Sequence, residues 1–264
     1  MKDLKLIDCS ACIGLGGINR QIVNHEDYIV TERVREPANA AELLEEMDFC
    51  GIDEAVVYHQ SMVDVSPQYG NSVLLSDKRN YTGRLRATIT VAPSVSDVEF
   101  EIGKIVQTAK EFNLAGVRAF PQLNRYRLDR VTCGDLLDYL SGSGLPLYLS
   151  PMDNWDYIFE TLKEFPDLTV ILTNYGLWGS DRYFYPLVRA YKNVYVDTSD
   201  FQEIRGIEAF VNKFGGGRML FGTNFPMDNM GGPATTLFCA KISDDAREDI
   251  AHRNIERLLA EVKL

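Results

Sequence analysis

Leu4-Lys-Leu-Ile-Asp-Cys-Ser-Ala-Cys-Ile-Gly14 reads as a buried strand whose C-terminal end opens into a site. The apolar pair Leu6-Ile7 leads into Asp8, Ser10 and Cys12 follow at alternate positions, and Gly14 ends the run. Successive side chains of a strand point to opposite faces, so this spacing predicts that Asp8, Ser10 and Cys12 project together. Cys9-Ser-Ala-Cys12 also spells C-x-x-C, but an i, i+3 pair on a strand faces opposite sides. A redox or zinc role would need a turn or helix start there. Cys9 reads more simply as a small hydrophobe packed against a helix.

Outward from that strand the chain alternates. Short β-branched runs at 54–60, 85–93, 115–121, 145–151, 168–174, 194–198 and 218–226 read as strands. Between and after them, helices are expected at 40–49, 69–77, 98–112 (with Asp97 as its cap), 133–140, 155–164, 183–191, 204–213 and 243–259. A polar stretch from Leu15 to Asn39, holding His25, Arg33 and Arg35, has the length of a functional lid. Eight strands alternating with helices mean a parallel sheet, and eight such units point to a closed (β/α)8 TIM barrel. A dinucleotide fold would require G-x-G-x-x-G after the first strand, and Gly14-Leu-Gly-Gly17 lacks the third glycine. No linker or low-complexity tract divides the 264 residues, so one barrel domain over 1–264 is expected.

Apolar residues at 45% suffice for one large core, and the net charge of −11 disfavours nucleic acid and anionic membrane surfaces as partners. The first residues lack a signal core and no apolar run approaches a membrane span, which makes the cytoplasm the expected compartment. Five cysteines without regular spacing suit reduced thiols. Homo-oligomer formation stays open.

Several segments together resemble the amidohydrolase-2 family of barrel hydrolases and decarboxylases. L-I-D-C-S-A-C-I-G is similar to the family's I-D-x-H-x-H-x-G. Leu43 to Val57 resembles its first helix and second strand, and Gly144-Leu-Pro-Leu-Tyr-Leu-Ser150 its fifth strand. Phe165-Pro-Asp-Leu-Thr-Val-Ile-Leu-Thr-Asn174 resembles F-P-D-L followed by a strand ending in His. Asn193 to Ser199 and Arg218 to Pro226 resemble strands seven and eight, and the Asn254…Leu258-Leu259 close of the last helix matches too. The resemblance implies an amidohydrolase-like barrel in which histidines of strands one and five or six, with an aspartate of strand eight, hold a divalent metal such as zinc. That metal would activate a water. The matching positions here are Ser10, Cys12, Ser150, Asn174 and Asn224, neutral weak ligands apart from the one thiol. Only His25, His59 and His252 exist, none at a matching position, so no cofactor is expected. His252 reads as a solvated or core residue of the terminal helix.

Two functions stand open. One is a metal-independent hydrolase or lyase acting on a small carboxylate or lactone, with Cys12 as nucleophile and His59 as its base. The other is a catalytically lost relative that binds a small anion or supports a partner, with Ser and Asn filling the former metal space. A rebuilt metal site from His25, His59, Cys12 and Asp228 is a further arrangement. In either function Arg118, Arg125 and Arg127, with Arg130, are candidate carboxylate anchors after strand four. Tyr58, Ser10, Ser150, Asn174, Asn224 and Asp228 complete the expected binding set at the strand ends.

Overall fold

In the computed structural model, which describes residues 4–14, 37–78, 83–95, 97–151, 154–175, 179–199, 201 and 204–264, eight parallel strands pair in strict chain order. They are β1 (Ile7–Ile13), β2 (Glu54–His59), β3 (Leu85–Thr90), β4 (Gly116–Ala119), β5 (Leu147–Leu149), β6 (Val170–Leu172), β7 (Val194–Asp197) and β8 (Met219–Leu220). The ring closes where Cys9 N–H donates to the Phe221 carbonyl and Cys12 N–H to that of Phe225, each at 2.8 Å. This is the (β/α)8 barrel expected from the alternation.

The helices that matter below are α1 (Ala40–Cys50), α2 (Pro67–Lys78), α3 (Arg130–Ser143), α4 (Gly206–Phe214) and α5 (Gly231–Cys239). Helix α1 runs from the Asn39 cap, whose side chain accepts the Glu42 amide, to Gly51 at φ 74. Asp97 caps only a 3-10 turn, Val98–Phe100, and the following helix starts at Ile102. The tail is one helical run with a π turn at Asp249–Arg253 between Asp244–Glu248 and Asn254–Ala260. Helix α5 was not legible in the sequence. Its start, Gly-Gly-Pro, is poor helix-forming sequence, rescued because Asn229 Oδ1 accepts the Gly231 amide and Pro233 sits in the first turn.

Two apolar clusters follow strand parity. On the outer faces Leu147, Leu149, Val170, Leu172, Val194, Val196 and Met219 pack under the helices. Ile7, Cys9, Tyr148, Ile171, Tyr195 and Leu220 form the inner cluster, which Ile255 and Leu258 of the terminal helix join. Cys9 therefore sits inside the barrel rather than against an outer helix. Asn254 locks the terminal helix by donating to the Gly216 and Met219 carbonyls at 2.8 and 2.9 Å.

The alternation expected of β1 fails at one place. Asp8 pairs with Ala55 and Cys12 with Tyr58, with a register shift between Asp8 and Ala11. Ala55 and Tyr58, three apart on a regular strand, face opposite sides, so Asp8 and Cys12 do too. A bulge inserts the extra residue and turns Asp8 toward β8. There its carboxylate accepts the amides of Ser10 and Thr223 at 2.9 and 3.0 Å and the Thr223 hydroxyl at 2.5 Å.

No helix of the described residues is long and apolar enough to cross a membrane.

Candidate functional site at the barrel mouth

The C-terminal ends of parallel strands present short loops and half-free polar side chains, which is where barrels carry their chemistry. At this end β1 supplies Ser10 and Cys12, β2 supplies Tyr58 and His59, and the residues just after β5, β6 and β8 supply Ser150, Asn174 and Asn224. Asn174 and Asn224 both take the left-handed conformation, at φ 47 and 58, a backbone state asparagine tolerates better than other non-glycine residues.

Most of these groups hold one another. Ser150 Oγ donates to the Asn174 carbonyl at 3.3 Å, and the Asn174 amide donates to Ser199 Oγ at 3.1 Å. Asn224 Nδ2 donates to Asp228 Oδ2 at 2.9 Å. Among the described residues the Ser10 hydroxyl and Asn174 Oδ1 are buried with no hydrogen-bond partner, as are Thr90 Oγ1 and Asp197 Oδ2 at the ends of β3 and β7. Buried polar atoms in native proteins are nearly always paired, so orphans gathered at one end of a barrel mark a place for a polar guest.

Cys12 and His59 are both engaged. The thiol, 2% exposed, approaches Gln60 Oε1 and the Ile13 carbonyl, each at 3.5 Å. His59 Nδ1 accepts the Ser61 amide at 3.1 Å. A neutral imidazole with Nδ1 as acceptor carries its proton on Nε2, so in this tautomer His59 offers a donor rather than a base. Burial pushes its pKa down, against the pull of Asp77 in α2. The ring lies against Gly14, at φ +95, where a Cβ would fall 2.6 Å from Nε2. Gly14→Ala is expected to displace the ring and destabilise the fold by about 1–3 kcal/mol. With the ring more exposed, the His59 titration followed by NMR should move upward. An unchanged titration would show that the ring does not depend on that glycine.

The arginines divide. Arg118 is 2% exposed inside the barrel. Its Nε donates to Thr88 Oγ1 at 2.9 Å and its Nη2 to the Cys9 carbonyl at 3.2 Å. The guanidinium lies between the Tyr58 and Tyr148 rings, 4.4 and 4.5 Å from their centroids. Gly116 makes room, since a Cβ there would fall 2.7 Å from the Tyr148 ring. Arg125 and Arg127 are exposed, and Arg127 Nε pairs with Asp129 at 2.6 Å. Arg130, on α3, pairs with Asp138 and stacks on Phe165. The cluster read along the sequence is thus one interior cation and three surface ones.

Around Arg118 stand two buried carboxylates. Burial pushes Asp8 up, opposed first by the Thr223 hydroxyl, then by the Ser10 and Thr223 amides and Arg118. Burial pushes Asp197 well above its usual range, opposed by Ser199 and Arg118 and reinforced by Asp8. Ser199 donates both its amide and its hydroxyl to Asp197 Oδ1, while Oδ2 is buried without a partner among the described residues. Thr88, Tyr148, Thr223 and Ser199 of this network escaped the sequence reading. Parity within β3 and β5, the faces of Thr88 and Tyr148, was the signal available.

A divalent metal needs several charged or imidazole ligands converging. Among the described residues no group of three or more His, Cys, Asp or Glu is placed to hold one. The positions matching the metal ligands carry Ser10, Cys12, Ser150, Asn174 and Asn224, largely tied to backbone or neighbouring side chains, and do not fit the ion. His25, considered for a rebuilt site, lies outside the described residues.

The family model described as amidohydrolase matches residues 31–260. No curated protein matches the chain. Among solved structures, an uncharacterised TIM-barrel protein of Bordetella bronchiseptica is 21% identical, with a TM-score of 0.74 over 98% of this chain and 99% of that one. A dihydroxybenzoic acid decarboxylase of Polaromonas sp. JS666, with bound manganese and 2-nitroresorcinol, is 16% identical, TM-score 0.72, over 97% of both chains. A 5-carboxyvanillate decarboxylase of Novosphingobium aromaticivorans, complexed with manganese, is 15% identical, TM-score 0.73, over 98% of this chain and 97% of that one. At such identities the likeness carries the fold alone.

Proposed function

The chain belongs to the amidohydrolase family, and from that premise we propose that it takes a small carboxylate or lactone at the barrel mouth and turns it over, as a hydrolase or lyase, without a tightly held metal. The observation that carries this reading is that Ser10 Oγ and Asn174 Oδ1, among the neutral strand-end residues, are buried without a hydrogen-bond partner among the described residues. A hydroxyl can donate to or accept from a ligand oxygen, and an amide oxygen accepts from a ligand hydroxyl or a water. His59 adds an Nε2 donor suited to a carbonyl oxygen. The decarboxylases of this fold act on aromatic carboxylates by name, which agrees with a carboxylate substrate.

The test is turnover of a lactone and carboxylate panel, followed as acid release and as carbon dioxide. Chelator should leave the rate unchanged, and elemental analysis of the purified protein should give far less than one zinc or manganese per chain. A rate that vanishes with chelator and returns with metal would overturn the metal-independent reading.

A second reading rests on the engagement of the Cys12 thiol and of His59 Nδ1, the sulfur and the basic nitrogen that a nucleophile and its base would use. In it the protein is a catalytically lost relative that binds a small anion. Saturable binding of panel members without turnover is its signature.

A further inference from the structure

Beside the mouth lies a cavity of about 360 Å³, walled by Thr198, Phe201, Ile207, Asp228, Pro233 and Thr236. That volume lies at the small end of the range for ligand sites. We propose that this cavity binds a small organic ammonium, its apolar body on Phe201, Ile207 and Pro233 and its N–H donors on Asp228. This site goes beyond the carboxylate or lactone turnover proposed for the strand ends.

The polar lining selects the charge. Thr198 Oγ1 donates to the Gly222 carbonyl and accepts the Gly222 amide, both at 2.9 Å, so its proton is committed inside the fold and cannot serve an anion. Thr236 Oγ1 donates back along α5 to the Gly232 carbonyl at 3.0 Å. Asp228 differs. Its Oδ2 holds Asn224 Nδ2, while no described residue hydrogen-bonds to Oδ1. Helix α5 begins here, and a helix start ordinarily favours an anion. Its first donors are already occupied, however. Asn229 Oδ1 accepts the Gly231 amide at 2.8 Å, the Asn229 carbonyl accepts the Gly232 amide at 3.2 Å, and Pro233 has no N–H. No lysine or arginine lines the cavity among the described residues, so an anion would meet the Asp228 carboxylate with only the neutral side-chain amide of Asn229 to offset it. The chain's net charge of −11 adds a field that gathers cations.

Isothermal titration with benzylamine, benzyl alcohol and benzoate, near-isosteres of different charge at neutral pH, tests the assignment. Benzylamine should bind tightest and benzoate weakest. Asp228→Asn should weaken benzylamine about ten-fold, the equivalent of ~1.4 kcal/mol, and leave benzyl alcohol nearly unchanged. Thr236→Trp, on an exposed position of α5, fills the cavity from its rim without touching the core and should abolish binding of both. Benzoate binding as tightly as benzylamine, no loss in Asp228→Asn, or full binding in Thr236→Trp would each overturn the proposal. So would the absence of any benzylamine heat up to millimolar concentration.

Discussion

Arg118→Met should leave the barrel about 3–5 kcal/mol less stable, measured as a lowered urea midpoint, and on a fold whose whole stability is about 5–15 kcal/mol this approaches unfolding. Read along the sequence, Arg118 looks like a ligand anchor whose loss would weaken carboxylate binding and spare the fold. Its surroundings say otherwise. The guanidinium is 2% exposed, bonded to Thr88 Oγ1 and the Cys9 carbonyl, and held between two tyrosine rings. It lowers the pKa of both Asp8 and Asp197, which are fully buried. Methionine fills similar volume but leaves those carboxyls without a cation, and a buried charge deprived of its partner is among the costliest defects a core can carry. Arg118→Lys separates charge from shape: it keeps the cation but loses the planar fork that stacks and donates at once, so its midpoint should fall between the two. A methionine variant with the wild-type midpoint would return Arg118 to the list of ligand-binding groups.

The strands were legible because each is a short β-branched run between polar segments. Leu145 to Pro151 and Leu168 to Asn174 betray themselves that way, although only three residues of each form the ladder. Helix α1 was legible from its apolar spacing and its Gly51 stop. What escaped depends on pairing across the chain. Nothing in Asp8-Cys-Ser-Ala-Cys12 announces a bulge, because the register shift exists only against β2. Composition cannot reveal that Cys9 faces inward either, since Ile7 and Cys9 share the inner face only up to that bulge. The arginines near β4 misled for a related reason. Arg118 lies on the strand and Arg125 to Arg130 in the loop and helix after it, so closeness in sequence did not become closeness in space. Ser150, Asn174 and Asn224, by contrast, could be placed directly, because each follows a strand whose neighbours are unmistakable, and Ser10 and Cys12 lie within β1 as read.

Asp197→Asn should flatten the pH dependence of stability, with the variant gaining on the wild type as pH rises. Asp197 is fully buried, its Oδ1 held by Ser199 and its Oδ2 without a partner among the described residues, beside Gly222, where any Cβ would fall 2.7 Å away. Burial raises its carboxyl well above the usual value, and Asp8 adds to the rise. Ser199 and Arg118 oppose it without cancelling it. The sign follows from linkage. A carboxyl whose pKa is higher in the folded than in the unfolded chain holds its proton more tightly when folded. The stability this contributes is therefore complete below the unfolded value and is lost as pH rises through the folded one. Each unit of difference is worth ~1.4 kcal/mol. Asparagine has nearly the same shape and can still accept from Ser199, but it has no proton to lose, so that loss disappears. Some slope should remain, because Asp8 is raised in the same direction. Urea unfolding at acid, neutral and mildly alkaline pH reads the effect as a difference between variant and wild type that grows with pH. If the two curves run parallel, Asp197 ionises in the fold as freely as it does in the unfolded chain. Arg118 would then balance two carboxylates rather than one carboxylate and one acid.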